Sequence, residues 1–510
     1  MKRSIIRISH THTGIFIFLL AAFAFCSELH GADALIDAAN KATTEYRRNL
    51  ETLAVWCDEN KFPNEAKVIR NCVVPKAPDK IYIPMLPLDV QPPAKKPQSE
   101  TVNTQLNSRM DELSKLRKDY AKIMFAFAKT AAKQDRGSLA MQMSLAALHA
   151  DPDHAQIRRV LGFTKYRNQW RTPWETEQLK KGFVDHPRFG WIPSKHVQRY
   201  EAGERYSDGK WITEAQDRQK HSGDIRNGWI IESEHYTLRT NHSIEEGVRV
   251  CRNLEHLYRA WKLLFYRFMA SDVAIASMFE TRSAAPKPLK KLGVYLFRDK
   301  KNYVDSLVRG EPFVIKTIGL YVSGSRKCCF FVYTPPAPGT NPGPDDDHPE
   351  DIERTVYHEA THQLFYECRT FDNPIGELRN YWIIEGIAMF METLHEEGDY
   401  YVLGGWNDTR VKYARAKVRQ NGFYISFEKL TKLGRLEFQS FPNLIELYTH
   451  CAGTAFFLMN YDDGAYRDAT VMFLRLVYEN NDTTKTLESL TGRTSKELDD
   501  LYKTYMSNEP

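Results

Sequence analysis

The order of patterned segments along this 510-residue chain predicts an α+β fold preceded by a mainly α-helical N-terminal region. Three observations carry that expectation. Helical spacing of apolar residues dominates 35–72 and 101–165, β-rich runs cluster between 229 and 333, and the pattern after Glu385 is helical to the end. Strands first and helices last is the order of an α+β domain rather than of repeated βαβ units. The length predicts two or three domains, and 42% hydrophobic residues supply ample core.

The N-terminus predicts export. Lys2, Arg3 and Arg7 precede an apolar run from Gly14 to Cys26, which is too short to span a bilayer and suits a signal peptide over 1–26. Ala24 and Cys26 suit cleavage before Ser27, with Ala32-Asp33-Ala34 as a second candidate. A periplasmic or secreted protein is expected; bulky Phe25 argues against a lipid on Cys26. No other segment is long and apolar enough to cross a membrane. The formal charge of +5 loses Lys2, Arg3 and Arg7 with the leader, and the weak remainder offers no basic stripe for nucleic acid. Seven of the eight cysteines lie beyond the leader. Cys57 and Cys72 are a candidate disulfide, and the lack of a CxxC argues against a cysteine zinc site or thioredoxin-like chemistry.

In 35–72, Ile36, Ala39, Tyr46, Leu50, Leu53 and Trp56 recur at helical spacings. Seven prolines between Pro75 and Pro97 make 73–100 an extended linker. Residues 101–165 are helical again. Ala146–His154 followed by Leu161-Gly162 is similar to one tetratricopeptide-type helix pair, too little for a solenoid but a possible protein-partner surface. Within 166–222, Trp170, Trp191 and Trp211 recur at 21 and 20 residues, each followed by a Pro or Thr that starts a short charged helix, and Trp229 is a possible fourth copy. Either the indoles are platforms for a peptide or glycan, or each anchors its own turn; the second reading is favoured because repeats this short need their aromatics for core.

The region 229–505 begins with a strand at His235–Thr240. Ser243 then caps a helix whose Val248, Cys251, Leu254, Leu257, Trp261, Leu264 and Phe268 form one stripe. Leu292–Phe297 is a second strand. Gly319–Val322 and Cys329–Tyr333 form a hairpin around Ser323–Lys327, and the strand ending at Tyr333 is expected to be the edge facing a cleft. The Pro- and Asp-rich stretch 335–347 is either an acidic overhang of the cleft that disfavours acidic substrates or a solvated surface connection, and the second reading is favoured.

One helix carries the chemistry. His358-Glu359-Ala360-Thr361-His362 is HExxH on a segment from Glu350 to Cys368, with Pro349 at the first helical position and Glu350, Asp351 and Glu353 at the positive end of the helix dipole. Ile352, Val356, Ala360, Leu364 and Phe365 give it an apolar face. Imidazoles at i and i+4 share a face and can grip one zinc ion, while Glu359 is placed to take a proton from water. Glu385 follows His362 by 23 residues within Trp382-Ile383-Ile384-Glu385-Gly386-Ile387-Ala388. A carboxylate in such apolar company needs a partner, and a third metal ligand is the role open to it.

HExxH followed by a WxxEGxA helix resembles the gluzincin zinc peptidases. Within that group the chain is most similar to a family of exported bacterial proteins of unknown function, through the Ser233–Asn241 approach, HExxH and the EGxA helix, over roughly 229–505. The resemblance implies a small mixed sheet with an active-site helix and a helical C-terminal subdomain. It implies zinc on His358, His362 and Glu385, Glu359 as general base, and a peptide or protein substrate that adds to a sheet edge. It also implies an oxyanion partner from a later helix: Tyr448, with His450 as the runner-up, each having the bland alternative of a satisfied core residue. One departure stands out. The acidic residue that thermolysin-like enzymes carry four after the glutamate ligand is Met389 here; Glu392, seven on and on the same face, is left either to orient a ligand histidine or to form a surface salt bridge. Asp372 and Asn373 lie between the two ligand helices, but no spacing singles them out. The rival to a peptidase is a binding or scaffold protein whose zinc site is structural or lapsed.

Overall fold

Leu35, Ala39, Ala42, Tyr46, Leu50 and Leu53 fall on one face of a single long helix, α1 (Gly31–Glu59), and all six are buried. The computed structural model describes residues 31–87, 104–280, 290–333, 349–369 and 374–508. The leader with Cys26, the later part of the proline-rich stretch, the 335–347 connection, and Asp372 and Asn373 lie outside these residues. The buried face of α1 packs on α2 (Pro63–Arg70) and on α3 (Thr104–Lys133). Next to α3 lies α4 (Gly137–Ala150), and Ala121, Ala128, Ala131, Ala140 and Ala147 are completely buried in this helical hairpin. The short α5 (Ala155–Val160) follows.

The stretch expected to be a linker supplies a strand, β1 (Lys80–Pro84). It pairs antiparallel with a strand more than 300 residues later, Ile81 opposite Leu403 and Ile83 opposite Tyr401. Proline cannot donate to a ladder, so a strand bounded by Pro78 and Pro84 belongs at a sheet edge, and β1 is an edge strand. The N-terminal helices are thereby tied to the C-terminal half, and one hydrophobic core runs from Leu35 to Met506.

The tryptophan repeats are three hairpin-and-helix units: β2 (Thr164–Tyr166), β3 (Gln169–Arg171) and α6 (Pro173–Lys180); β4 (Phe183–His186), β5 (Gly190–Pro193) and α7 (Val197–Glu201); β6 (Glu204–Ser207), β7 (Lys210–Thr213) and α8 (Glu214–His221). Thr172 and Thr213 start α6 and α8 with reciprocal capping boxes to Glu175 and Gln216. Each indole anchors its own neighbourhood. Trp170 is buried and donates to Asp153 at 2.7 Å, Trp191 meets the edge of Trp174 at 5.2 Å, and Arg199 lies 3.9 Å above Trp211.

A five-stranded mixed sheet follows. It takes β8 (Trp229–Glu232), β9 (Tyr236–Thr240), then, after α9 (Ile244–Leu264), α10 (Tyr266–Met269) and α11 (Asp272–Glu280), β10 (Leu292–Phe297). After α12 (Lys300–Leu307) come β11 (Gly319–Val322) and β12 (Lys327–Phe331). The order is β11-β12-β10-β9-β8, with β9, β10 and β12 parallel and the outer strands antiparallel. The expected hairpin is present, but its edge strand is β11 rather than the strand leading to Tyr333. Cys328, Cys329, Phe330 and Phe331 are apolar on both faces of β12, which suits a strand with neighbours on both sides.

The remainder is mostly helical: α13 (Pro349–Cys368), α14 (Tyr381–Met391), a hairpin of β13 (His395–Glu397) and β14 (Tyr400–Gly404), then α15 (Thr409–Arg419), α16 (Phe427–Leu430), α17 (Arg435–Gln439), α18 (Leu444–Gly464), α19 (Arg467–Tyr478), α20 (Leu487–Thr491) and α21 (Ser495–Ser507). The architecture is mixed, with small sheets and a predominance of helix, as the α+β expectation requires. α14 lies against α18 at Gly386, where a Cβ would come within 2.9 Å of the Cys451 carbonyl oxygen, so the close approach needs glycine. Among the described residues all seven cysteines are free thiols, so Cys57 and Cys72 are not bridged; the Cys72 thiol donates instead to the Val68 carbonyl in the preceding turn. No helix among the described residues is long and apolar enough to cross a membrane.

Candidate metal centre

The rotation of α13 is set by its apolar face. Ala360, Leu364 and Phe365 are buried, and the Phe365 ring sits among Trp261, Phe265, Phe268 and Tyr478 with centroids 4.7–5.6 Å away. With that face locked inward, His358 and His362 turn toward α14. Their Nε2 atoms stand 3.1 Å apart, and Glu385 Oε2 lies 3.3 Å from the first and 3.8 Å from the second. All three ligand atoms fall within 4.8 Å of one another. A tetrahedral ion with bonds of about 2.0–2.1 Å separates its ligand atoms by roughly 3.3 Å, so two imidazoles and one carboxylate at these distances fit a divalent ion such as zinc.

Electrostatics point the same way. Burial works against a charge on His358, but hydrogen bonds to Glu385 and Glu392, and their negative charge, outweigh it and hold its pKa up at about 10. Burial would raise Glu385; the charges and hydrogen bonds of His362 and His358 carry it well below the usual carboxylate range. The pocket therefore favours a positive charge at the point where these three groups meet.

Glu392, at the end of α14, is buried, so the surface salt bridge is not its role. His358 Nδ1 donates to its Oε1 at 2.8 Å, which leaves His358 Nε2 facing Glu385 and His362. The other oxygen accepts from Arg354 at 3.0 Å and Arg410 at 2.9 Å, and Arg354 also reaches Asp408 at 2.7 Å. Burial opposes ionisation of Glu392, yet His358 and Arg410 bring its pKa down to about 2. Met389, where an acid stands in thermolysin-like enzymes, is core at 1% exposure.

Glu359, half-buried beside the ligands, accepts the Tyr321 backbone N–H at 2.8 Å and so sits against the edge strand β11. Tyr448 is half-buried with its ring edge-on to Phe438 at 5.2 Å; burial raises its pKa, and the charges of Glu385, Cys451 and Glu359 raise it further. His450 is elsewhere. Its Nε2 bonds the Ile425 carbonyl at 2.9 Å, its Nδ1 lies 3.5 Å from the Tyr502 hydroxyl, and it is a buried core residue. Residues two positions apart in a helix are about 200° apart around its axis, so Tyr448 and His450 point to opposite faces.

The burial of His450 makes stability depend on pH. Burial lowers its pKa from 6.5 to about 4. Below pH 6.5 the unfolded chain binds a proton that the folded chain refuses until about pH 4, so this contribution to stability is complete above 6.5 and is lost as the pH falls through that window. Urea unfolding at pH 7 and pH 4.5 should show His450→Gln losing roughly 2 kcal/mol less than the native chain over that interval; equal losses would mean that His450 does not titrate this way.

Tyr381 is a residue that sequence reasoning passed over. It opens α14 four residues before Glu385 and hydrogen-bonds that carboxylate, its own pKa raised by burial and by the charge of Glu385. The i, i+4 spacing was the available signal. The same spacing places Arg354 before His358, whereas the approach of Arg410 depends on a different helix.

Residues 352–472 match the model of a family described as a protein of unknown function, DUF1570. The matched stretch runs from α13 into α19 and contains His358, Glu359, His362, Glu385, Glu392 and Tyr448. Among curated proteins none matches the chain.

Proposed function

We propose that the chain is an exported, zinc-dependent peptidase of gluzincin type, with His358, His362 and Glu385 as the metal ligands and Glu359 as general base. The observation that carries the reading is the meeting of three ligand atoms within 4.8 Å beside a glutamate bonded to an edge strand. Zinc held there would supply Lewis acidity to a water and to the scissile carbonyl. The chain's own groups do the rest. Glu359 accepts the proton of the attacking water and passes it to the departing amine. The outer edge of β11 takes the substrate backbone as an added strand, which fixes the carbonyl beside Glu359. The Tyr448 phenol donates to the developing oxyanion. Tyr381 and Glu392 hold the Glu385 carboxylate and the His358 ring in place through the bonds described above. A structural or lapsed site in a scaffold protein has no need of a carboxylate held beside the metal ligands without being one of them, which favours the enzyme.

The test is cleavage of a proteome-derived peptide library by protein carrying one equivalent of zinc. Cleavage should disappear on chelation and return with stoichiometric zinc. Absence of cleavage by protein with its zinc bound would overturn the peptidase reading, and failure to retain one equivalent through gel filtration would overturn the metal site.

A further inference from the structure

We propose that a cavity between the N-terminal helices and the C-terminal helical bundle binds a long-chain carboxylate whose head group meets Arg467. The cavity has a volume of about 560 Å³, within the usual range for small-molecule sites.

Arg467 is the central observation. It is only 9% exposed and it lines this cavity, and among the described residues its hydrogen bonds go to neutral groups. Its Nε donates to the Met459 carbonyl at 3.1 Å and its Nη1 to Gln142 at 3.4 Å. A guanidinium has five N–H donors, so three are left for whatever enters the cavity. A buried cation is costly: burial depresses the pKa of this one, and the charges of Asp463 and Asp468 only partly offset that. Asp463 is held by Lys76 at 2.6 Å, and Asp468 accepts the Ser138 N–H at 3.0 Å. The cavity also presents Asp37 and Asp462, with Arg47, Lys76, Lys80 and Arg136 among its other charged groups.

Ser138 is independent support. It is 8% exposed, it lines the same cavity, and its hydroxyl has no hydrogen-bond partner. The backbone adds a third observation. α18 leaves helical geometry at Tyr461 and turns through Asp462, Asp463 and Gly464 at φ 46°, 61° and 85°. A Cβ on Gly464 would stand 2.5 Å from the Arg467 guanidinium, so this left-handed turn is what admits the cation to its place.

The remaining wall decides the rest of the ligand. Ile36, Ile81, Ile83, Met124, Leu139 and Leu264 face the cavity from α1, β1, α3, α4 and α9. A planar carboxylate matches the unused donors of the Arg467 guanidinium and the Ser138 hydroxyl, and an alkyl chain matches the apolar side.

The test titrates the full chain with cis-parinaric acid and with its methyl ester, following polyene fluorescence. The acid should bind with one-to-one saturation and the ester at least tenfold more weakly. Ser138→Ala should weaken the acid several-fold, and Arg467→Met should bring it to the level of the ester. Because Arg467→Met removes a buried group and can disturb folding, Leu139→Trp provides a second route: it fills the apolar side and should abolish binding while thermal unfolding stays near that of the native chain. Equal affinity for acid and ester, binding undiminished in Leu139→Trp, or displacement of the acid by equimolar inorganic phosphate would each overturn the proposal.

Discussion

Glu359→Gln should reduce peptide hydrolysis by about two to four orders of magnitude in kcat while leaving zinc stoichiometry and thermal stability unchanged. The separation of effects follows from where Glu359 sits. It is next to His358 in sequence but outside the group of three ligand atoms, and its Oε2 accepts the Tyr321 N–H at 2.8 Å. Glutamine keeps the size of the side chain and an oxygen for that N–H, so the edge strand and α13 stay where they are. It loses only the ability to take a proton at neutral pH. Steady-state kinetics on a peptide identified from the library, with metal analysis of the same samples, reads both quantities. A variant that cleaves at the native rate would remove Glu359 from the chemistry, and one that also loses zinc would show that the substitution disturbed the ligands instead.

The parts of this site that the sequence made legible are those carried by spacing within one helix. His358 and His362 at i+4, Glu385 in apolar company, and Glu392 two turns after Glu385 are all relations along a helix axis, which the period of the helix fixes. Positions that depend on a partner far away in sequence are not legible in this way. Cys329–Tyr333 reads as a strand, but whether it is an edge depends on the pairing of Lys327–Phe331 with Gly293–Phe297 on one side and Gly319–Val322 on the other. The prolines around β1 read as a linker because only the distant β14 shows that they flank a strand. The small-residue segment around His450 announces a buried helix without saying which face meets α14, and the packing of Gly386 on Cys451 settles it.

Glu392→Ala should be the most destabilising single change near the centre, about 3–5 kcal/mol, because it leaves buried charge without its partner. The Glu392 side chain is 2% exposed and answers Arg354, Arg410 and His358 together. Arg354 retains Asp408, and Arg410 is open enough to be solvated, so the lower part of that range is the reasonable expectation. The same substitution frees the His358 ring, whose Nδ1 loses its acceptor, and zinc affinity should fall roughly 10- to 100-fold. Glu392→Gln separates the two effects. It restores an oxygen for His358 Nδ1 and should recover most of the zinc affinity, yet it returns no charge to the two arginines and should remain less stable than the native chain. Urea unfolding of the metal-free proteins measures the first quantity and chelator competition the second. If Glu392→Ala bound zinc as tightly as the native chain, the bond to His358 would be incidental, and Glu392 would serve only as the counter-charge of Arg354 and Arg410.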